Sequence, residues 1–129
     1  MKIALEEARK AYEKNEVPIG AIIVKNGEVI ARAHNTREGD QSSLAHAEII
    51  AIQRANDALE SWRLDSCSLY VTIEPCQMCS GAIIQSRIEN VYYGAVDLKS
   101  GAHQSILNLF EYPFNIHKFP SSSYLKSVT

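Results

Sequence analysis

Four side chains in this 129-residue chain have the chemistry to hold and use a metal ion: His46, Glu48, Cys76 and Cys79. One imidazole and two thiolates form a donor set that suits zinc. Three protein donors leave one tetrahedral position open, the pattern of a catalytic rather than a structural zinc site. Cys76 and Cys79 stand at i and i+3, so in the first turn of a helix both thiols face one side. The positive end of the helix dipole also favours thiolates there. Taken alone, the Cys-x-x-Cys spacing serves a metal, a redox pair or an inert buried pair. Pro75 ahead of Cys76, with His46-Ala47-Glu48 upstream, weights it towards one zinc ion per chain. Glu48 lies about 200° from His46 around a regular helix, so it is expected beside the metal and not on it. A carboxylate in that place takes a proton from water and passes it on. The plain alternative is a first-turn glutamate favoured by the helix dipole. Cys67 is a fourth donor on paper, but it reads as a small buried core residue.

These residues need elements to carry them. Residues 2–15 read as an amphipathic helix with Ala4, Ala8, Ala11 and Tyr12 on its apolar stripe, stopped by Pro18 and Gly20. Ala21–Lys25 and Glu28–His34 flank Asn26-Gly27, the strongest short hairpin signal. Residues 35–43 read as a loop. Ser42 or Ser43 can cap a helix from Leu44 to about Leu59, with Ala45, Ile49, Ile52, Ala55 and Leu59 on its stripe. Ser68–Ile73 and Val91–Ala95 read as strands around a helix over 76–86, which carries little polar surface. A short helix over 105–111 and a fifth strand over Ile116–Phe119 follow, and the residues after Pro120 show no periodic signal. This order predicts an α/β layered domain with a mixed sheet of five strands. The hairpin is antiparallel, and strands joined through helices are parallel. Two helix N-termini at one end of such a sheet bring His46 to the cysteines.

Composition sets the outer limits. Apolar residues make up 46% and charged residues 22%, which is globular, and one domain is expected. Thirteen basic and fifteen acidic side chains give a net charge of −2, so a large nonspecific nucleic-acid footprint is disfavoured. Three cysteines, two of them three residues apart, favour metal or redox chemistry over a disulfide frame. No apolar run of membrane-spanning length is present. The opening residues lack the apolar stretch of a signal peptide, so the expected location is cytoplasmic, with no membrane partner.

His46-Ala47-Glu48 followed by Pro75-Cys76-Gln77-Met78-Cys79 resembles the cytidine/deoxycytidylate deaminase superfamily. Within it, the chain is similar to the bacterial tRNA adenosine deaminase family. The matching stretches include Glu16–Ala21, His34–Arg37, Ala45–Ile49, Trp62–Leu64, Leu69–Cys79, Ser86–Ile88 and Gly94–Asp97 with Lys99–Gly101. The resemblance runs over about residues 2–111 and implies a three-layer α/β/α cytidine deaminase-like domain. It implies a zinc-dependent homodimer that converts adenosine to inosine at the wobble position of the tRNA anticodon, so its partner is the anticodon stem-loop. By the same match His46, Cys76 and Cys79 bind zinc and Glu48 shuttles protons. Asn35 and the Ala47 backbone amide contact the base, and Asp97 falls near the nucleotides that flank it. On the residues alone, Asn35 reads as a loop asparagine ending a strand and Asp97 as a solvated loop aspartate.

The domain is read as residues 1–111, with 112–129 as a divergent C-terminal tail. The family continues here into a long helix with aromatic and basic residues. The tail has no acid and sets His117, Lys118 and Lys126 among Tyr112, Phe114, Phe119 and Tyr124. It reads either as a surface for phosphates and bases or as a frayed end. Two rival functions stand beside the tRNA reading. One is a guanine- or cytosine-type deaminase of the same superfamily, whose guanine branch resembles Pro-Phe-Gly-Ala where this chain has Pro18-Ile19-Gly20-Ala21. The other is an inactive zinc-stabilised partner subunit, which the presence of Glu48 argues against.

Overall fold

The computed structural model describes residues 1–95, 97, 99 and 101, and the backbone of 125–127. The elements are α1 (Lys2–Glu13), β1 (Gly20–Lys25), β2 (Glu28–His34), α2 (Arg37–Asp40), α3 (Ala47–Leu59), β3 (Cys67–Ile73), α4 (Gln77–Ser86), β4 (Asn90–Ala95) and β5 (Leu125–Ser127). The sheet order is β2-β1-β3-β4-β5. β1 is antiparallel to β2 and to β3. β3, β4 and β5 run parallel. The hairpin turns at Asn26 (φ 52°) and Gly27 (φ 77°), two consecutive left-handed residues whose twist matches that of the paired strands.

Side-chain alternation sorts the helices into two layers. Ala21, Ile23, Ala31, Ala33, Leu69, Val71, Val91 and Tyr93 share one core with Ala47, Ala51, Ile52 and Ala55 of α3 and Ile83 of α4. The opposite face belongs to α1, where Arg32 and His34 of β2 meet Glu7. The domain is therefore α/β/α. On α1 the small residues Ala4, Ala8 and Ala11 are buried. They bring the helix backbone so near the sheet that a Cβ on Gly20 would collide with the Ala4 carbonyl and the Ala8 nitrogen. Tyr12, expected on this stripe, is 70% exposed, and Glu7 takes the buried place between Ala4 and Ala8. Positions 4, 7, 8 and 11 are the true i, i+3, i+4, i+7 set.

Other expectations are corrected. The loop over 35–43 contains the helical turn α2. The helix expected from Leu44 begins only at Ala47, and Ser42 and Ser43 do not cap it. The reason is that the Ala45 carbonyl accepts the Thr36 N–H at 3.1 Å, which pairs Ala45 with the preceding loop. The buried stripe of α3 is consequently Ala47, Ala51, Ile52 and Ala55 with Glu48 among them, and Ile49 is only half-buried. The four strands of residues 20–95 carry the sheet. The fifth is the three-residue Leu125–Ser127 beside β4, in a stretch that showed no periodic signal. Ile116–Phe119, the helix expected over 105–111 and most of the 112–129 tail lie outside the described residues.

Candidate metal centre

Two helices start at the same end of the sheet, and the residue in front of each is a candidate donor. His46 precedes α3 with an extended backbone (φ −83°, ψ 148°), and Cys76 precedes α4 likewise (φ −74°, ψ 177°). At such positions a serine or aspartate would turn its side chain back onto the helix amides. Neither His46 nor Cys76 does so, and both side chains turn towards Cys79 in the first turn of α4. His46 Nδ1 lies 3.8 Å from Cys76 Sγ and 3.6 Å from Cys79 Sγ. The three donor atoms all fall within 4.8 Å of one another. A tetrahedral zinc with bonds of about 2.3 Å to sulfur and about 2.0–2.1 Å to nitrogen has sulfur–nitrogen edges of about 3.6 Å. The trio has the spacing and the chemistry for that ion.

The thiols are free. The Cys79 hydrogen bond, backbone amides of Cys79 and Met78 and the His46 ring together outweigh burial and hold the Cys76 thiol at about 5. The same bond to Cys76, with burial and the nearby Glu48, pushes the Cys79 thiol up. The first turn of α4 therefore already stabilises one thiolate.

Glu48 sits in the first turn of α3 at 3% exposure. Burial, with the Cys76 charge beside it, raises its carboxyl to about 7, although its own backbone N–H and Cys79 pull the other way. Its Oε1 has no hydrogen-bond partner among the described residues. A buried unpartnered carboxylate oxygen is costly, so its presence at a polar cluster points to a ligand or solvent proton.

Asn35, 4% exposed, follows β2, and its backbone N–H donates to the Ile19 carbonyl at 3.1 Å. Its side-chain Oδ1 accepts the Ala47 N–H at 2.7 Å, so Asn35 caps α3 from twelve residues away. The Ala47 amide, expected to meet a base, is thus already given to Asn35. Asp97 lies in the turn after β4, where its N–H donates to Glu74 Oε1 at 3.0 Å and its Oδ1 accepts the Lys99 N–H at 3.0 Å. Cys67 is fully buried at the far end of β3, its thiol raised by burial. Six strand steps, about 20 Å, separate it from Ile73, the end of β3 that leads to the donors.

Among the described residues three buried glutamates escaped the sequence reading: Glu7, Glu16 and Glu74. Glu7 was legible, since it falls on the α1 stripe. Glu16 accepts the N–H groups of Glu38 at 3.0 Å and Gly39 at 2.7 Å, and so holds α2 and the loop between Asn35 and His46. No local pattern announces a carboxylate whose partners are backbone amides more than twenty residues away.

A three-layer α/β/α domain with a His-Cys-Cys cluster across two helix starts has the architecture of the cytidine deaminase-like enzymes. The MafB19-like deaminase family profile matches residues 1–120. The chain is 56% identical over 111 residues to the tRNA-specific adenosine deaminase of Bacillus subtilis, covering 86% of this chain and 69% of that one. It is 49% identical over 118 residues to the tRNA-specific adenosine deaminase of Aquifex aeolicus, covering 92% and 78%. It superposes with a TM-score of 0.92 and 46% identity on a structure from work on A-to-I editing by tRNA:A34 deaminases, covering 98% of this chain and 95% of that one. A guanine deaminase from Bacillus subtilis superposes at a TM-score of 0.72 and 30% identity, covering 86% and 82%. The chain belongs to the tRNA-specific adenosine deaminase family. Among the described residues no helix is long and apolar enough to cross a membrane.

Proposed function

We propose that this chain hydrolyses adenosine to inosine, releasing ammonia, at the wobble position of a tRNA anticodon. The single observation that carries the reading is the orphaned, buried Glu48 Oε1 at the start of α3, with His46, Cys76 and Cys79 assembled beside it. We assign zinc to those three residues. When bound, zinc supplies a Lewis acid that makes a water acidic near neutral pH. Glu48 is the proton carrier. Its Oε1 takes a proton from the attacking water and gives it to the ring nitrogen; it then takes the second proton from the hydroxyl left on the ring carbon and gives it to the departing amine.

Asn35 is assigned the direct base contact. With Oδ1 committed to the Ala47 N–H, its Nδ2 remains to donate to an acceptor on the purine edge. The Ala47 backbone amide, here bonded to Asn35 Oδ1, is assigned the second contact to the base. Asp97 is assigned to the flank of the site. The anticodon stem-loop is the partner, and a tRNA substrate places the chain in the cytoplasm. A second copy of the chain completes a homodimer, as the family resemblance implies. Light scattering at micromolar concentration tests that assembly, and a monomer refutes it.

The catalytic reading is tested with zinc-loaded protein offered an anticodon stem-loop, free guanine and cytidine in parallel. Inosine in the stem-loop alone is the expected result. Xanthine or uridine moves the assignment to a free-base or nucleoside deaminase, and no product with any of them removes the enzyme reading.

A further inference from the structure

Glu74 is 1% exposed and lies between the end of β3 and Pro75, two residues ahead of Cys76. Its backbone N–H donates to the Ala95 carbonyl at 2.7 Å, and its Oε1 accepts the Asp97 N–H at 3.0 Å. One side chain thus binds the two chain segments that leave the C-terminal ends of the neighbouring parallel strands β3 and β4. The turn it grips is closed on itself. The Gly101 N–H donates to the Asp97 carbonyl at 2.9 Å, and Gly101 pairs in antiparallel fashion with Cys76. A Cβ on Gly101 would fall onto the Glu74 carboxylate. The backbone at Gly101 is not left-handed, so its conformation does not call for glycine. The carboxylate takes the space where a side chain would go.

Burying a carboxylate is expensive unless its bonds repay it. Here they are spent on a turn that borders a candidate metal donor, at the end of the sheet where such folds bind ligands. We propose that Glu74 is a positioning residue. Through Asp97 and Gly101 it holds the turn after β4 as a fixed wall beside Cys76, and this wall governs how substrate is seated. His46, Cys79 and Glu48 stand on other bonds, and Cys76 meets the wall only through its backbone pairing with Gly101. The proposal rests on the deaminase reading above.

The test uses the full chain, zinc-loaded, with an anticodon stem-loop, and compares wild type with Glu74→Ala, Gly101→Ala, their double variant and Glu74→Gln. Glu74→Ala and Gly101→Ala should each raise KM about tenfold with kcat within about threefold, the signature of lost binding rather than lost chemistry. Zinc content should remain one per chain. The double variant should be no worse than the worse single one, because removing the carboxylate clears the space for the new methyl group. Glu74→Gln keeps an acceptor for the Asp97 N–H and should recover most of the lost KM. Gly101→Ala deletes nothing, so it carries the measurement if Glu74→Ala does not fold. Unchanged KM in the folded variants, a fall confined to kcat, or loss of zinc would each overturn the proposal. A wild type that does not turn over the stem-loop would instead overturn the functional reading beneath it.

Discussion

Glu7 on the α1 face and Glu48 beside the candidate metal donors are both 3% exposed, and they have opposite chemistry. Glu7 accepts from His34 Nδ1 at 2.9 Å, Arg32 Nε at 2.9 Å and Lys10 Nζ at 2.8 Å. Burial would raise its carboxyl, but these hydrogen bonds and the Lys10 charge outweigh burial and hold it at about 2. Among the described residues no cation offsets the burial of Glu48, one of its oxygens has no partner, and its carboxyl rises to about 7. Burial alone therefore does not decide what an acid does. Partners do: a fully satisfied carboxylate fastens a helix to a sheet, while an unsatisfied one is kept ready to exchange a proton. The two faces of one sheet divide these tasks between them.

The largest effects should come from the unsatisfied side. Cys76→Ser should leave the chain with less than one zinc by metal analysis. Turnover should fall by more than about 10⁴-fold, since a metal contributes several kcal/mol to such a reaction. Full zinc content with high turnover would break the comparison by removing the metal from it. Glu48→Gln should retain zinc and melt no lower than wild type while kcat falls about 10²- to 10⁴-fold. Near-normal kcat in that variant would make the orphaned oxygen a structural accident.

Glu7→Gln should do the reverse. Turnover should stay within about twofold of wild type, while unfolding in urea at pH 7 loses about 2 kcal/mol, because a buried acceptor set is broken. The pH dependence sharpens this. A carboxyl held at about 2 against an ordinary 4.5 stabilises the folded chain above about pH 4.5, and that contribution is withdrawn as pH falls towards 2. The gap is worth about 3 kcal/mol at most, nearer 2 because solvent reaches Lys10 and Arg32. The charges that face Glu7 are Lys10 from α1 and Arg32 from β2, with Glu6 also on Arg32, and the His34 ring is hydrogen-bonded to it. Wild-type and Glu7→Gln stabilities should converge between pH 4.5 and 2. A gap that stays constant over that range would show that the carboxylate charge is not what binds α1.

The clustering of His46, Cys76 and Cys79, with Glu48 nearby, was legible because its signal is residue type at short spacing: His-x-Glu and Cys-x-x-Cys survive any error in element boundaries. The strands were legible from β-branched runs around Asn26-Gly27. What stayed hidden depends on distant backbone partners. The start of α3 shifts to Ala47 because Thr36 claims the Ala45 carbonyl and Asn35 claims the Ala47 amide, and neither pairing has a local pattern. His46 thereby leaves the helix and becomes its extended forerunner, so the angle of about 200° to Glu48 expected of a regular helix does not apply. The three-residue β5 is too short for alternation to show.

The smallest effect concerns Glu16, which stands between the two extremes. It is 7% exposed, and each carboxylate oxygen accepts one backbone N–H, from Glu38 and Gly39. It is satisfied like Glu7, yet the loop it holds joins Asn35 to His46, as the Thr36–Ala45 pairing shows. If satisfaction marks structure, Glu16→Gln should cost about 1 kcal/mol, since the amide keeps one acceptor and turns a donor towards the other N–H. Its kcat should be unchanged. Because the loop carries Asn35, KM for the stem-loop should rise by no more than about threefold. Urea unfolding and steady-state kinetics on one preparation decide the matter. A kcat loss that approaches that of Glu48→Gln, with stability intact, would mean that a fully bonded buried glutamate can still serve the chemistry directly, and the division drawn between Glu7 and Glu48 would fail.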